Sequence, residues 1–336
     1  MERIIDNLAQ YNLVVVIPAY KVEKQIEDTI ERVPSYIRHI IIVNDASPDN
    51  TAQIASRLQE KDSRILLISH IENQGVGGAM ISGFKKALEL DAQIVIKIDG
   101  DGQMSDYDLA SLLEPLIAGD ADFAKGNRFR DFQTLRSMPF IRQAGNIGLS
   151  FLVKAASGYW DCFDPTNGFV AIRHEALKAL SFERLHKRYF FETSLLGELY
   201  LVNAFIKDVP YPAVYGDKVS NLSVAKTLFE FSPQLFMLVM RRILLKKFLY
   251  NFGIDSLYLS SGIPMLVFSL VFGIAKWAKY SKLGIPAPTG TVMIPVLFLI
   301  LGFQLVLSAI NIDLYAMPKQ PLSLAKPLKE SLHQRG

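Results

Sequence analysis

The first hundred residues alternate between short apolar runs and segments with the spacing of amphipathic helices. These predicted strands and helices occupy residues 13–17, 23–33, 40–43, 51–59, 65–68 and 94–98, with a further helix after Gly78. Strands that are apolar without a break are typical of parallel sheets covered on both faces. The pattern therefore predicts an α/β fold in which a mostly parallel, Rossmann-like sheet lies between layers of helices.

Polar or turn-forming residues follow several of these predicted strands. Pro18 closes the first strand, Asp45 follows the second, and Asp99 follows the strand at residues 94–98. Open parallel sheets bind ligands beyond the carboxyl ends of their strands. We therefore expect these three residues to border a binding site.

The pattern changes in the second half of the chain. Residues 120–217 are more irregular, with strand-like stretches at 122–125 and 169–172. Residues 222–251 are helical and amphipathic, and their basic residues are Arg241, Arg242, Lys246 and Lys247. Basic residues beside large apolar ones favour a helix lying on a membrane surface, although an ordinary surface helix has the same pattern.

Two uncharged apolar stretches follow, at residues 256–275 and 291–312. Each has about the length needed to cross a hydrocarbon core of ~30 Å. Together they predict a transmembrane hairpin, and the alternative is a buried helical pair. The connecting loop carries Lys276, Lys279 and Lys282, so the positive-inside rule does not favour a cytosolic start for the hairpin.

Composition narrows the classes of function. Half of the 336 residues are hydrophobic and the net charge is only +3, without a long basic run, so nucleic acid is not expected as a partner. A single cysteine, Cys162, excludes an intrachain disulfide framework and a Cys-rich zinc site. The first apolar run is too short for a signal peptide, which predicts that the N-terminal domain stays in the cytosol.

The strongest local signal is the run Asp99-Gly100-Asp101-Gly102-Gln103 at the end of a predicted strand. Two carboxylates one residue apart can hold a hard divalent cation, and that cation can bridge the oxygens of a nucleotide diphosphate. Alone, the run also fits a turn, an aspartyl nucleophile or a calcium loop. A calcium loop would need a later Glu ligand, which is missing here.

Two further segments are candidates for binding a nucleotide. In residues 44–51, Asp45 can accept a hydrogen bond from a base or ribose, whereas Asp49 and Thr51 are better explained as helix caps. Residues 73–79 are rich in glycine, and Gly75 lies where backbone N–H groups could meet a phosphate or a base.

These motifs, taken in order, resemble a known family. They are Pro18-Ala19-Tyr20, Asn44-Asp45-Ala46-Ser47, Asp99-Gly100-Asp101-Gly102-Gln103 and Asp164-Pro165-Thr166-Asn167-Gly168-Phe169. They look like the family 2 glycosyltransferases, and within these like the dolichyl-phosphate mannosyltransferase and bacterial polyprenyl-phosphate glycosyltransferase group. The resemblance covers about residues 13–222 and extends to the paired C-terminal membrane helices of some members.

The resemblance implies a GT-A fold, Mg²⁺ or Mn²⁺ as cofactor, a UDP- or GDP-sugar donor and inversion at the anomeric carbon. By motif, Asp99, Asp101 and Gln103 would surround the metal and the diphosphate. The residues that would hold the nucleotide are Pro18, Tyr20, Glu23, Asp45 and Gly75, together with Asp99. Many members have Tyr-Asn-Glu where this chain has Tyr20-Lys21-Val22-Glu23, so the acidic residue is displaced by one position.

The resemblance also supplies basic positions that face the donor sugar and the lipid phosphate. Arg128, Arg142 and Lys218 would complete a catalytic set with Asp99 and Asp101. A phosphate monoester is mostly ionised near neutral pH, because its second pKa is about 6, and needs no general base. A hydroxyl acceptor would need one, and Glu192 is then the candidate. An acid in the first turn of a helix is an equal alternative for Glu192.

The predicted organisation follows from these points. A cytosolic GT-A catalytic domain at 1–221 precedes an interfacial helix region at 222–253, a two-helix hairpin at 254–314 and a cytosolic tail at 315–336. The predicted enzyme is integral to a plasma membrane or a bacterial-type inner membrane and moves a sugar to a polyprenyl phosphate. Family 2 transfer to a lipid or glycan hydroxyl, and a non-catalytic sugar-binding subunit, are the alternatives. Homo-oligomerisation is left open.

Overall fold

The computed structural model of the protein describes residues 8–100, 106–127, 140–162, 164, 167–210 and 224–322. The chain divides into two compact units. The first contains the predicted catalytic domain, is termed the catalytic unit below, and comprises Met1–Val239 and Pro318–Gly336. The second, termed the hairpin unit, comprises Met240–Met317. The catalytic unit is therefore discontinuous in sequence, with the hairpin unit inserted near its end.

A seven-stranded sheet forms the centre of the catalytic unit, in the order β3-β2-β1-β4-β6-β5-β7. Its strands are β1 Leu13–Ala19, β2 His39–Asn44, β3 Ile65–Ser69, β4 Ile94–Lys97, β5 Phe123–Asn127, β6 Val170–Arg173 and β7 Ile206–Pro210. Strand β6 is antiparallel to both of its neighbours, and the other paired strands are parallel. The predicted mostly parallel α/β sheet is confirmed.

Helices cover both faces of this sheet. Those before the hairpin are α1 Ile26–Glu31, α2 Thr51–Lys61, α3 Val76–Glu89, α4 Asp106–Ile117, α5 Phe140–Ser157, α6 His174–Ala179, α7 Phe191–Leu201 and α8 Val224–Ile243. Alternate residues of each central strand point to opposite faces, so that Val14 and Val16 join one core while Val15 and Ile17 join the other. Two buried faces explain why these strands are apolar without a break.

The second half of the sheet departs from the sequence pattern. Strands β5 and β6 lie close to the stretches predicted at 122–125 and 169–172. Strand β7, whose sequence is Ile-Lys-Asp-Val-Pro, was not predicted, because it lies at the sheet edge and its apolar run is interrupted by Lys207 and Asp208. Helix α7 was also not predicted as a helix, since it is buried all round and lacks a polar stripe.

Helix α8 begins in the catalytic unit. Leu235 and Leu238 are buried in its core, where Leu238 packs against Gly197 of α7, and Phe236 and Met237 are exposed. This part of the predicted interfacial helix therefore has one face in the protein core. A role at the membrane surface stays a prediction for its exposed apolar residues and for the π-helical segment Leu244–Leu249.

The hairpin unit contains two long apolar helices, α9 Ile254–Leu283 and α10 Thr289–Tyr315. They have 30 and 27 residues, and in the most apolar window of each only 11% of residues are buried within the structure. A core helix of a soluble protein would be mostly buried. By length and composition both helices are suited to crossing a membrane. Lys276, Lys279 and Lys282, predicted to lie in the loop, instead form the last turns of α9.

The two long helices cross where both have glycine. A Cβ atom on Gly302 would lie 2.9 Å from the carbonyl oxygen of Gly262, and one on Gly262 would lie 3.0 Å from that of Gly302. Further along, the Ser269 hydroxyl donates to the Pro295 carbonyl at 2.7 Å. This bond joins a side chain of α9 to the backbone of α10. Gly262, Ser269 and Gly302 are small, so they let the two backbones approach closely.

Four buried charges connect the start of the hairpin with its end. Arg242 lies 2.9 Å from Asp313, and Lys247 lies 2.6 Å from Asp255 and 3.2 Å from Asp313. The two cations and two carboxylates offset each other, as buried charges require. The cluster ties the first turn of α9 and the last turn of α10 to the segment that precedes them.

Candidate functional site

The carboxyl ends of the central strands form one edge of the sheet. Ala19 at the end of β1 pairs with Asn44 at the end of β2, so the two loops that follow start level with each other. Asp99 follows β4, which pairs with the other side of β1. Tyr20 is 44% exposed at this edge. The sheet thus brings together Pro18, Tyr20, Asp45 and Asp99, as the sequence pattern predicts.

The loop after β1 is fastened to the loop after β2. The backbone N–H of Lys21 donates to the Ser47 hydroxyl at 2.8 Å, and that of Val22 donates to the Thr51 hydroxyl at 3.1 Å. In return the Glu23 carboxylate accepts the N–H of Asn50 at 3.0 Å. Glu23 therefore has a structural partner in the described part of the chain, and its predicted contact with the nucleotide stays a prediction.

Asp49 caps helix α2, as its spacing indicates. Its Oδ1 accepts the N–H of Thr51 at 3.2 Å and the hydroxyls of Ser47 and Thr51 at 2.5 and 2.6 Å. Burial alone would raise the pKa of Asp49, but these hydrogen bonds lower it to about 2. The carboxylate is therefore ionised at neutral pH and holds the start of the helix.

Asp45 holds the glycine-rich loop by accepting hydrogen bonds from its backbone. It is almost fully buried, and its two oxygens accept the N–H groups of Gln74 at 2.9 Å and Gly75 at 2.7 Å. His70 Nδ1 lies 2.7 Å from Asp45 Oδ1, and His70 Nε2 lies 2.8 Å from the Ser82 hydroxyl. The carboxylate thus fixes the loop, and a direct contact with a nucleotide stays a prediction.

The glycines of this loop accommodate another segment of the protein. A Cβ atom on Gly77 would lie 2.1 Å from the His186 carbonyl oxygen, and the N–H of Gly78 donates to the Lys187 carbonyl at 2.9 Å. The N–H of Gly75 is bonded to Asp45, as described above. The N–H groups of Gly75 and Gly78 thus already donate to protein oxygens, and a contact of this loop's backbone with a phosphate or base stays a prediction. Other contacts of Gly75 with a nucleotide stay a prediction.

Asp99 belongs to a cluster of charges at the end of β4. The Lys97 ammonium lies 2.6 Å from Asp99 Oδ1, 3.6 Å from Glu192 Oε1 and 3.2 Å from the Gly168 carbonyl oxygen. Burial opposes a charge on Lys97, but the attraction of Asp99 and Glu192 outweighs it and the pKa of this lysine is raised. The cluster brings Glu192, which is in the first turn of α7, next to the predicted metal ligand.

Gly168 leaves the space that this cluster needs. A Cβ atom there would lie 2.3 Å from Lys97 Nζ and 2.8 Å from Asp99 Oδ2. These distances are shorter than any ordinary contact, so a larger residue would displace the lysine or the carboxylate. The glycine in the Asp164–Phe169 motif therefore serves the packing of the site.

A second buried lysine supports the same loop from the other side of β6. Lys125 on β5 donates to the carbonyl oxygen of Asn167, and the Asn167 amide donates to the Gly126 carbonyl at 2.8 Å. Burial holds the pKa of Lys125 below its usual value. Lys97 and Lys125 thus bond adjacent carbonyl groups and fix the turn that carries Gly168.

Several predicted site residues lie outside the described part of the chain. These are Asp101, Gln103, Arg128 and Lys218, and of Arg142 only its place in helix α5 is described. Among the described residues, no group of three or more His, Cys, Asp or Glu side chains could hold a metal. The Asp99 side chain, however, is 53% exposed and supplies the carboxylate oxygens that hard divalent cations prefer, so it would fit as one ligand of such an ion.

Lys97 and His70 were not predicted as site residues from the sequence. A lysine inside a short apolar strand is a signal, because a buried ammonium requires acidic or carbonyl partners. The sequence alone did not identify those partners, since Glu192 and Gly168 come from distant segments.

Comparison with known proteins decides the family. Residues 14–181 match the model of Glycosyl transferase family 2. The chain belongs to this family. It is therefore a glycosyltransferase, and the resemblance in its motifs is confirmed.

Two relatives share most of the catalytic unit. A UDP-N-acetylglucosamine–dolichyl-phosphate N-acetylglucosaminyltransferase of Methanococcus voltae is 32% identical over 70% of this chain and 100% of its own length. A polyprenol monophosphomannose synthase of Mycolicibacterium smegmatis is 29% identical over 64% of this chain and 84% of its own length.

A solved structure supports the fold. Glucosyl-3-phosphoglycerate synthase from Mycobacterium tuberculosis, in a complex with Mn²⁺, UDP and phosphoglyceric acid, has a TM-score of 0.50 at 18% identity. The match covers 72% of this chain and 81% of that one. At this identity the likeness establishes the GT-A type α/β fold alone.

Proposed function

We propose that this glycosyltransferase moves a sugar from a UDP- or GDP-sugar to a polyprenyl phosphate, with inversion at the anomeric carbon. The observation that carries the proposal is one chain with both a family 2 glycosyltransferase match at residues 14–181 and two helices of membrane length. A polyprenyl phosphate is a membrane lipid with an anionic head. Relatives named for dolichyl-phosphate and polyprenol acceptors support this choice.

The donor binds at the carboxyl edge of the sheet. Pro18, Tyr20 and Asp99 border it directly, while Asp45 and Glu23 fix the loops around it. Asp99, with Asp101 and Gln103, would hold Mg²⁺ or Mn²⁺ there. A bound cation would offset the charge that develops on the departing diphosphate. Arg128, Arg142 and Lys218 complete the proposed set as cations for the donor and the lipid phosphate.

The surroundings of Glu192 favour a phosphate acceptor, which needs no general base. This carboxylate has an ammonium, that of Lys97, at 3.6 Å, and its side chain is 17% exposed. A general base needs to reach the proton that it takes from the acceptor. A phosphate monoester needs no such base, because its oxygens are already ionised at neutral pH.

The connection between the units supports a catalytic unit on one side of a membrane. Residues on both sides of the hairpin unit belong to the catalytic unit. After the hairpin, the N–H of Leu322 donates to both carboxylate oxygens of Asp122, at 3.0 and 2.9 Å. Two crossings return the chain to the side from which it left. We assign that side to the cytosol, where nucleotide sugars are made.

A transfer assay tests the proposal. Detergent-solubilised full-length protein is incubated with radiolabelled UDP- or GDP-sugars, undecaprenyl or dolichyl phosphate, and Mg²⁺, Mn²⁺ or EDTA. We expect metal-dependent label in the lipid fraction with one donor. No labelled lipid under any condition, despite hydrolysis of a donor, would contradict a lipid phosphate acceptor.

Transfer to a hydroxyl is the second candidate, because Glu192 lies within the same cluster as Asp99. A general base there would take the proton of the hydroxyl. The substitution Glu192→Gln distinguishes the two reactions. Loss of more than about a hundredfold in kcat, restored at high pH, would favour the hydroxyl acceptor, since general bases typically contribute that much.

A further inference from the structure

The carboxylate of Asp99 already has a cation of the protein beside it. The ammonium of Lys97 lies 2.6 Å from Asp99 Oδ1, a distance typical of a strong charge-assisted hydrogen bond. Lys97 precedes Asp99 by two residues and is 1% exposed, whereas Asp99 is 53% exposed. One side of the carboxylate thus faces a buried ammonium and the remainder is accessible to a ligand.

The ammonium cannot easily move away from this position. The Gly168 carbonyl and Glu192 hold it from two other directions, at 3.2 and 3.6 Å. The side chain is enclosed by protein, and a lysine that left its partners there would lose their compensation for burial. Lys97 is therefore a fixed positive charge next to the proposed metal ligand.

We propose that Lys97 is a positioning residue that competes with the divalent metal for Asp99, so that metal binds weakly until a nucleotide diphosphate binds with it. This rests on the proposed function, in which Asp99 contributes to holding the metal. A fixed ammonium at the carboxylate repels a dication through space and uses one of the oxygens that the dication needs. A diphosphate brings negative charges that attract both cations and reverses this balance.

Glu192 fits this arrangement as a counter-charge. With Asp99 it gives Lys97 two carboxylate partners, so the ammonium remains compensated when Asp99 turns toward a metal. Lys97 therefore has a carboxylate partner both without a bound metal and when Asp99 binds one. This role accounts for an acid at the start of α7 without assigning it to proton transfer.

Binding of Mn²⁺ alone tests the proposal. Mn²⁺ is titrated into full-length protein in detergent, and the free ion is measured by electron paramagnetic resonance, with and without UDP or GDP. In the absence of nucleotide we expect Lys97→Met to bind Mn²⁺ roughly tenfold or more tightly than the wild type, which corresponds to about 1.4 kcal/mol. Nucleotide should tighten Mn²⁺ binding more in the wild type than in this variant.

Lys125→Met is the matched control. Lys125 is equally buried and bonds the adjacent carbonyl, that of Asn167, but its bond is made on the other side of β6. We expect its affinity for Mn²⁺ to stay within about threefold of the wild type, because Lys125 bonds the Asn167 carbonyl and not the Asp99 carboxylate, so its loss frees no proposed metal ligand. An equal gain in both variants would overturn a competition at Asp99 itself.

A pair of variants covers the case in which Lys97→Met does not fold. Lys97→Met/Glu192→Gln removes one charge of each sign, so it leaves no uncompensated Glu192, and it is compared with Glu192→Gln. We expect the double variant to bind Mn²⁺ roughly tenfold more tightly than the single one. Equal or weaker Mn²⁺ binding after loss of Lys97, or no binding by any form, overturns the inference. The lipid transfer assay on the wild type decides the proposed function separately.

Discussion

At the sheet edge, some positions must be glycine to leave room for neighbouring side chains, and others are held by hydrogen bonds. Gly168 is the clearest case, because a methyl group there would overlap both Lys97 and Asp99. Asp49 is the opposite case, since it holds the start of a helix by several hydrogen bonds. Each residue gives a prediction with a defined physical cause.

The substitution Gly168→Ala should reduce glycosyl transfer at least tenfold by displacing Asp99 or Lys97, whose atoms lie 2.8 and 2.3 Å from the added carbon. Initial rates of lipid labelling at saturating donor measure the effect. Gly148→Ala is the control, because a Cβ atom there meets nothing within 4 Å. Equal rates for the two variants would contradict a steric role of Gly168.

Asp49→Ala should destabilise the catalytic unit at neutral pH by about 1 kcal/mol, the usual cost of a lost N-cap. The folded-state pKa of Asp49 is lowered to about 2, below its ordinary value of 3.8. Its carboxylate therefore stabilises the fold above about pH 4, and this stabilisation is lost as the pH falls through 2.

Thermal unfolding followed by fluorescence between pH 7 and pH 3 measures this difference. We expect the gap between the wild type and Asp49→Ala to narrow as the pH falls. Asp49→Asn is the control, since an amide caps a helix about as well but does not titrate in this range. A gap that stays constant down to pH 3 would refute the assignment to this carboxylate.

At the scale of elements, the two long helices of the hairpin depend on their crossing at Gly262 and Gly302. Helices in a membrane associate through close packing and not through removal of apolar surface from water. The contact of each glycine with the opposite carbonyl therefore sets how closely these helices approach.

Gly302→Ala should lower the free energy of unfolding of the hairpin unit by about 1–3 kcal/mol, the usual cost of overpacking. The reason is that the added carbon lies 2.9 Å from a backbone oxygen. Gly273→Ala is the matched control, since its nearest contact, Pro295, is at an ordinary 3.5 Å. Circular dichroism melts in detergent measure both. If Gly273→Ala is as damaging as Gly302→Ala, the crossing is not the cause.

The sequence predicted elements well where both sides of a strand are buried. Strands β1 to β4 each contain an unbroken apolar run, and each was predicted near its observed bounds. The edge strand β7 and the buried helix α7 have no such pattern, because exposure or burial all round removes the periodicity.

The candidate site could be predicted only in part for a similar reason. Asp45 and Asp99 follow strands and so stand out in the sequence. The partners that fix them, His70 for Asp45 and Lys97 with Glu192 for Asp99, depend on which segments the fold brings together. Sequence spacing does not carry that information.

At the scale of the whole molecule, the inserted hairpin predicts where each exposed segment lies. If the catalytic unit is cytosolic, position 285 lies on the opposite side of the membrane and position 319 on the cytosolic side. Both Ile285 and Lys319 are exposed. Cys162 is buried, and burial raises its pKa to about 12, so the native thiol contributes little background in a labelling experiment.

A membrane-impermeant maleimide applied to intact cells should therefore label Ile285→Cys and not Lys319→Cys. Permeabilised cells give the control, in which both variants should be labelled. Labelling of Lys319→Cys in intact cells would place the catalytic unit outside. Equal labelling of both variants in intact cells would mean that the hairpin does not cross the membrane.

The bond between Leu322 and Asp122 has a consequence for biosynthesis. Residue 322 leaves the ribosome after both long helices, yet it packs against the core of the catalytic unit and satisfies the buried carboxylate of Asp122. The catalytic unit therefore acquires this native contact only after the hairpin has been synthesised. A nascent chain arrested in the second helix contains all seven strands but lacks this contact, so completion of the catalytic unit requires translation of the hairpin.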